Sequence, residues 1–334
     1  MKLAAIALAG AVLALPPASF RAPGYPLDLA AAGLRVAVGT SQCVIRVTAL
    51  AARARPVTVA PPAICRGGEA GVDGVWLGRS AIAAQTIEAP SPHGESYGLW
   101  TGALPRGPLR QQGDDWGWTD SDSPPGYGCA WSAAAGGGVI AIAQIPNRLA
   151  VDQGLAGKPA CPAGPTTTIR LIGAAQTRLA LQGSWSILAT DGKRLALARL
   201  NESALQTGEL AVVDLHGSRL ATRPIPPVVV RAALDGWLTP EGLVLETAKS
   251  YVGPSWTVHA IGSATVGYGR LLYVKGRTLR VRRIRDGVDR ALLRLPSSET
   301  LLAAGSFGVA IAAGQESTSV YRLPWRTIDR VLPR

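Results

Sequence analysis

Short apolar runs with a period of two recur along this chain, separated by clusters of Gly, Pro, Asn, Asp and Ser. Residues 195–198 read LALA, which places leucine on one face of a strand and alanine on the other. Both residues also favour helices. This run, however, is short and soon meets Asn201-Glu202-Ser203, after which TGELAVVDLHG reads as a second strand with its own glycine stop. Upstream, Asp191-Gly192-Lys193 separates the run from the apolar segment SWSIL. Asp-Gly supplies positive φ at little steric cost, and the Asp carboxylate can bond the backbone two residues on. The stretch therefore predicts a hairpin.

The same phrase of turn plus alternation returns at residues 34–38 (LRVAV), 81–84 (AIAA), 139–143 (VIAIA), 243–245 (LVL) and 309–313 (VAIAA). A more basic version, YGRLLYVKGRTLRVRRIRDG, occupies residues 268–287. Trp131 and Trp185 each stand seven residues before a turn glycine, Gly138 and Gly192. With residues 195–198 this makes seven repeats, at an average spacing of about 46 residues between Gly33 and Gly308, close to that of propeller blades.

Each repeat predicts three or four short strands. Such a sheet cannot bury both faces alone, but it can when packed radially against its neighbours, and a ring protects most edges. Blades converge toward an axis, so inner strands are expected to carry small residues on at least one face, as in tapered barrels. The expectation is an all-β chain forming a single β-propeller over residues 20–334, seven-bladed, with six or eight blades as the fallback. A chain of 334 residues also admits two domains on length alone. No linker, charge run or low-complexity boundary divides it into halves. Apolar residues make up 47% and charged residues 17%, enough for a large core.

The N-terminus changes the picture most. MKLAAIALAGAVLALPPASF carries one Lys, an apolar run over residues 3–15, then Pro and small residues. This reads as a secretory signal peptide over residues 1–19, with cleavage near Ala18 or Ser19. The run is too short to cross a bilayer, and no later stretch qualifies as a transmembrane segment. A secreted or periplasmic protein is expected. In that compartment four cysteines, Cys43, Cys65, Cys129 and Cys161, predict two disulfides. Three connectivities exist. The pairing Cys43–Cys65 and Cys129–Cys161 keeps each bridge within one repeat or its adjoining loop.

The segment SWSILATDGKRLALARL followed by GELAVVDLHG, within residues 184–217, resembles blades of the bacterial Tol-type and WD-repeat-like propellers. There a D-G-K turn joins two strands and a later V-D-L-x-G closes a third. The resemblance implies a propeller that binds partners, often in the bacterial envelope. It transfers no binding residue, because the matching residues are structural.

Signatures of chemistry are sparse. G-x-S-x-G, H-E-x-x-H, Walker A and a G-x-G-x-x-G after a strand are all missing, and GLAGKP at residues 154–159 lacks phosphate-loop spacing. His93, His216 and His259 are scattered, so no metal and no cofactor are expected. Asn201-Glu202-Ser203 is a formal glycosylation sequon. The stretch GDDWGWTDSD brings Asp114, Asp115, Asp120 and Asp122 beside Trp116 and Trp118. It lacks calcium-loop spacing, but Trp116 and Trp118 are candidates for stacking on a sugar or peptide.

Charge supplies one further asymmetry. The formal net charge is +12, and residues 266–334 hold thirteen Lys and Arg against five Asp and Glu. Arg280, Arg282, Arg283 and Arg285 form the densest cluster. Alternation in TLRVRRIRDG puts Arg280 and Arg282 on one face, and a bulge is expected between Arg282 and Arg283. On a solvent face these four would meet anionic envelope polymer, lipid or an acidic protein. Arginine outnumbers lysine 29 to 5, so base composition alone can also yield such a cluster. Nucleic acid does not suit an exported protein. The expected function is a non-catalytic binding or scaffold propeller with a protein or polymer partner; the sequence does not set the oligomeric state. The alternative is a secreted propeller enzyme of the glycosidase, lactonase or quinoprotein-like dehydrogenase type. Three or more Asp, Glu or His side chains converging in the channel mouth would favour the enzyme.

Overall fold

A computed structural model describes residues 14–50, 55–59, 69–91, 94–104, 107–112, 118–120, 130–145, 166–200, 207–220, 233–260 and 262–333. Strand β1 (Ala18–Pro23) is set aside at first, because it completes the last blade. Blade 1 is β2 (Pro26–Ala32), β3 (Arg35–Thr40), β4 (Ile45–Ala49) and β5 (Val57–Val59). Blade 2 is β6 (Glu69–Leu77), β7 (Ala81–Ser91) and β8 (Gly94–Ala103), edged by β9 (Arg110–Gln111) and β10 (Trp118–Asp120). Blade 3 is β11 (Ala130–Gly136), β12 (Val139–Ile145), β13 (Thr166–Ile172) and β14 (Arg178–Gln182). Blade 4 is β15 (Trp185–Thr190), β16 (Arg194–Leu200), β17 (Thr207–Asp214) and β18 (Arg219–Leu220). Blade 5 is β19 (Ala233–Thr239), β20 (Gly242–Thr247), β21 (Ser250–Val252) and β22 (Thr257–His259). Blade 6 is β23 (Ala264–Gly267), β24 (Arg270–Lys275), β25 (Thr278–Arg283) and β26 (Asp289–Arg294). Blade 7 is β27 (Leu301–Gly305), β28 (Gly308–Ala313), β29 (Ser317–Leu323) and, outermost, β1. A single α-helix among the described residues, α1 (Trp325–Val331), follows β29. The protein is an all-β, seven-bladed propeller.

Of the seven sequence phrases the basic one covers the second and third strands of blade 6, and the other six fall on the second strand of a blade. These strands are buried on both sides, and their alternation acquires a direction. In β16, Leu195 and Leu197 pack with Ala141, Ala143 and Ile169 of blade 3, whereas Ala196 and Ala198 pack with Leu245 of blade 5. In β28, Val309 and Ile311 face blade 6 while Ala310 and Ala312 face blade 1. In β3, Val36 and Val38 face blade 7 and Ala37 faces blade 2. In β7, Ile82 faces blade 1 and Ala83 faces blade 3. In these blades the bulky face meets the preceding blade and the alanine face receives the following one. Blades 5 and 6 depart from the rule, with Val244, Leu272 and Val274 on the following side. In the blades that follow the rule, each bulky side chain fills the space its alanine-faced neighbour leaves, so the interface closes without voids.

The ring closes by pairing the two ends of the chain. β1 runs antiparallel to β29, with Phe20 opposite Val320 and Ala22 opposite Thr318. Phe20 and Ala22 enter the core shared by blades 7 and 1. The buried Thr318 hydroxyl donates to the Gly24 carbonyl at 2.7 Å. The expected cleavage position, Ala18 or Ser19, falls at the first residues of β1, and Phe20 to Pro23 lie beyond it. α1 covers the junction of blades 6 and 7: Trp325 and Ile328 are buried there, and the Trp325 indole donates to the Gly305 carbonyl at 2.8 Å. Buried Arg270 reaches Asp329 at 2.6 Å and the Leu332 carbonyl at 2.8 Å, fixing the helix to the ring.

The hairpin at residues 191–193 forms as its chemistry dictates. Gly192 has φ +83°, and the Asp191 carboxylate accepts from the amides of Lys193 and Arg194 at 2.9 and 2.8 Å. Burial acts to raise the Asp191 carboxyl, but these amides and the Arg194 guanidinium outweigh it and hold the group low. The bulge expected between Arg282 and Arg283 is not there. Against β24 the register runs unbroken from Thr278 to Arg283, and the shift lies between Leu279 and Arg280 on the side of β26.

Candidate functional site

The first strands of all seven blades, β2, β6, β11, β15, β19, β23 and β27, line an axial channel of about 1360 Å³. Small side chains keep it open, as in the Ala133 to Gly136 stretch of β11. Neighbouring walls are tied through side-chain oxygens. The Val75 amide donates to the Asp28 carboxylate at 2.6 Å, bridging blades 2 and 1. The Ile187 amide donates to the Ser132 hydroxyl at 2.8 Å, bridging blades 4 and 3. The amides of Leu302 and Ala304 donate to Ser263 and Thr265, each at 2.9 Å, bridging blades 7 and 6.

Five carboxylates line the channel: Asp28, Asp73, Asp235 and Glu246 on its strands, and Asp191 at the β15–β16 turn. Asp28, Asp73 and Asp235 each sit at a register shift of a first strand, where a bulge turns the side chain inward. Asp235 stands directly opposite Glu246 across the β19–β20 pair. Asp73 accepts from Gln85 at 3.0 Å, and Asp235 accepts from the Gly236 amide at 2.7 Å. Burial pushes the Asp28 carboxyl up to about 6 against the pull of the Val75 amide. Enclosure by the ring and the charge of Asp235 push Glu246 up to about 7. Asp235 is likewise pushed up to about 7 by enclosure, while its exposure to channel water tempers the effect. Among the described residues no three of His, Cys, Asp and Glu are arranged to hold a metal ion.

The channel is electrically polar along its axis. Asp28 and Asp235 lie near the starts of their strands, and Glu246 near the end of β20, so all three mark one end. At the other end, where each first strand turns into the second, the lining includes Arg35 and Arg79, with Asp191 held by Arg194. The Arg35 guanidinium donates to the Arg79 carbonyl at 2.7 Å. This end is called the turn face below.

The arginine cluster separates into two groups. Leu279 and Val281 face blade 7, so Arg280 and Arg282 lie on the face of β25 turned to blade 5, both partly buried. Both converge on Asp289, at 3.0 and 3.2 Å, and the Tyr273 hydroxyl donates to the same carboxylate. The Arg282 guanidinium lies 5.2 Å from the ring centre of Trp256 in blade 5, whose indole donates to the Ile284 carbonyl at 2.7 Å. The expectation of one solvent face for the four arginines is thus corrected: Arg282 helps join blades 5 and 6, and Arg280 is tied within blade 6. Arg283 pairs with Asp286 at 3.0 Å and donates to the Pro333 carbonyl, while Arg285, 61% exposed, stands at the outer turn of blade 6.

Trp118 belongs to β10, with its backbone opposite Ser96, whereas Trp116 lies outside the described residues. The sequon and the GLAGKP stretch also lie outside them. Cys43, with φ +54°, is disulfide-bonded, and Cys65, Cys129 and Cys161 lie outside the described residues. The channel carboxylates are the residues that sequence reasoning missed. Their trace is the repeated V-D-G-V-W and L-D-G-W-L at residues 72–76 and 234–238, where Asp-Gly marks a bulge in a first strand rather than a hairpin.

No protein-family model matches the chain, and no curated protein matches it. Solved structures do. The chain is similar to a component of a crystal structure of the mitotic checkpoint complex, with 12% identity, a TM-score of 0.54, and coverage of 97% of this chain and 99% of that one. It is also similar to the β-propeller domain of Cps50 (Swd1) from Myceliophteria thermophila, with 11% identity, a TM-score of 0.52, and coverage of 92% and 99%. At these identities the likeness is one of fold, a β-propeller.

Proposed function

We propose that this chain is an exported, non-catalytic propeller that binds a protein partner in the cell envelope or outside the cell. One observation carries the reading. A rigid ring holds large apolar side chains half-exposed on its turns and connections: Tyr25 at 48%, Leu34 at 52% and Tyr268 at 51%. Exposed turn residues on a stiff scaffold, Tyr above all, are the usual anchors of protein interfaces. The apolar leader and the disulfide at Cys43 support an oxidising compartment. The test is fractionation of the full chain carrying a C-terminal tag, followed by capture from the fraction that holds it and direct binding of the purified partner. Retention in the cytoplasm with free thiols, or a captured protein that fails to bind directly, would overturn the reading.

A second reading, a secreted propeller enzyme, draws on the channel carboxylates, of which Asp28, Asp235 and Glu246 gather at one end and so meet the condition set above for an enzyme. A protonated carboxyl beside an ionised one is the pairing that glycoside hydrolysis uses, and Asp235 faces Glu246. Turnover of an aryl-glycoside panel that disappears in Glu246→Gln would establish it. Turnover absent from the parent would remove it.

A further inference from the structure

We infer that the turn face is the docking surface, and that its occupant is an acidic segment of a partner protein. This rests on the binding reading above and names the face and the chemistry. The turn face gathers exposed cations from distant parts of the chain: Arg79 at the turn of blade 2, Arg285 at the outer turn of blade 6, and Arg326 and Arg330 on α1. Of the acids nearby two are matched, while Glu241, at the turn of blade 5 beside Gly269, keeps a buried carboxylate oxygen without a partner, one acid against four cations. Asp329 is paired with buried Arg270, and Asp286 with Arg283. Arg79, Arg326 and Arg330 have no carboxylate within ion-pair distance among the described residues. The face therefore carries an excess of positive charge that its own fold does not neutralise.

Two apolar side chains stand within this field. Leu34 is at the turn of blade 1, and Tyr268 is at the turn of blade 6, edge-on to Trp325 with ring centres 4.9 Å apart. The turns between them are joined: the Ser306 amide of blade 7 donates to the Gly33 carbonyl at 2.8 Å. The surface is thus a stiff arc across blades 6, 7, 1 and 2, with cations around two apolar anchors. Guanidinium groups pair with carboxylates through two parallel hydrogen bonds, and Tyr and Arg are enriched at protein interfaces. The channel opens within the arc, a concavity that a side chain can fill and a flat bilayer cannot reach. That shape favours a polypeptide over a lipid surface.

The test uses a fluorescent 15-residue peptide of Glu-Leu-Glu repeats, its Lys-Leu-Lys counterpart, and vesicles containing one-third phosphatidylglycerol. Fluorescence anisotropy should show the acidic peptide binding the full chain and the basic one not binding, with affinity falling as salt rises. The variant Arg79→Glu/Arg326→Glu/Arg330→Glu alters exposed side chains only and should weaken the acidic peptide at least tenfold at an unchanged melting temperature. Leu34→Ser should weaken it several-fold. Equal binding by the charge-reversed variant overturns the proposal, as does vesicle binding without peptide binding. A captured partner that the charge-reversed variant retains as well as the parent leaves the binding reading standing and places its site on another face.

Discussion

Replacing Asp28 by Asn isolates the cost of keeping a carboxylate between blades 1 and 2. The Asp28 carboxyl rises from 3.8 to about 6 on folding, so the folded chain holds its proton over a pH range in which the unfolded chain has lost it. The stability linked to this group is complete below pH 3.8 and is lost as the pH climbs through 6. The interval is worth about 3 kcal/mol. Channel water reaching this half-buried group reduces that to about 2. Asn keeps an oxygen for the Val75 amide, now 2.6 Å from the carboxylate, but carries no charge. At pH 8 the variant should therefore be more stable than the parent by about 2 kcal/mol, and at pH 4 the difference should vanish. Urea unfolding followed by tryptophan fluorescence at the two pH values reads both numbers. A variant destabilised equally at pH 4 and pH 8 would refute the reasoning, because the carboxylate would then be acting through shape and not through its proton.

Arg282→Gln should lower stability by about 1–3 kcal/mol through loss of the Asp289 pair and the Trp256 contact between blades, while Arg285→Gln should stay within about 0.5 kcal/mol; thermal unfolding separates them, and equal effects would argue against the interblade role. Gly137 and Gly33 have nearly the same backbone, φ +59° and +58°, but an added Cβ at Gly137 would stand 1.9 Å from the Asp191 carbonyl oxygen, whereas at Gly33 nothing lies within 4 Å. Gly33→Ala should cost about 1 kcal/mol, and Gly137→Ala at least twice as much by chemical denaturation; similar costs would mean that the turns of blades 3 and 4 are not in contact. Peptide mapping without reduction is expected to link Cys43 to Cys65 and Cys129 to Cys161, and any other partner for Cys43 discards that pairing.

The ring was legible in the sequence because its second strands carry the signal most simply. LALA at residues 195–198 and VAIAA at 309–313 state their two faces in the alternation itself, and burial on both sides keeps them apolar. The channel carboxylates were not legible, because Asp73-Gly74 and Asp235-Gly236 have the local chemistry of a turn; only closure of the ring makes those positions bulges on its inner wall. Arg280 and Arg282 show a subtler limit. Alternation correctly puts them on one face of β25, but which face meets water depends on Trp256, 24 residues before Arg280 and in another blade. The exposed cations of the turn face run from Arg79 to Arg330, too far apart in the chain for any window to join them.

The packing of leucine and valine faces onto alanine faces has a consequence for how such a ring can be cut. Every blade that obeys the rule is a plug on one side and a socket on the other, so contacts between blades are head-to-tail and the ring has a sense of rotation. A fragment of consecutive blades ends in one unmatched plug and one unmatched socket. Two complementary fragments can then complete each other in only one order. Copies of one fragment face the choice between a closed ring of the wrong size and an open, growing chain. The strand pairing of β1 with β29 is what spares the intact protein that choice.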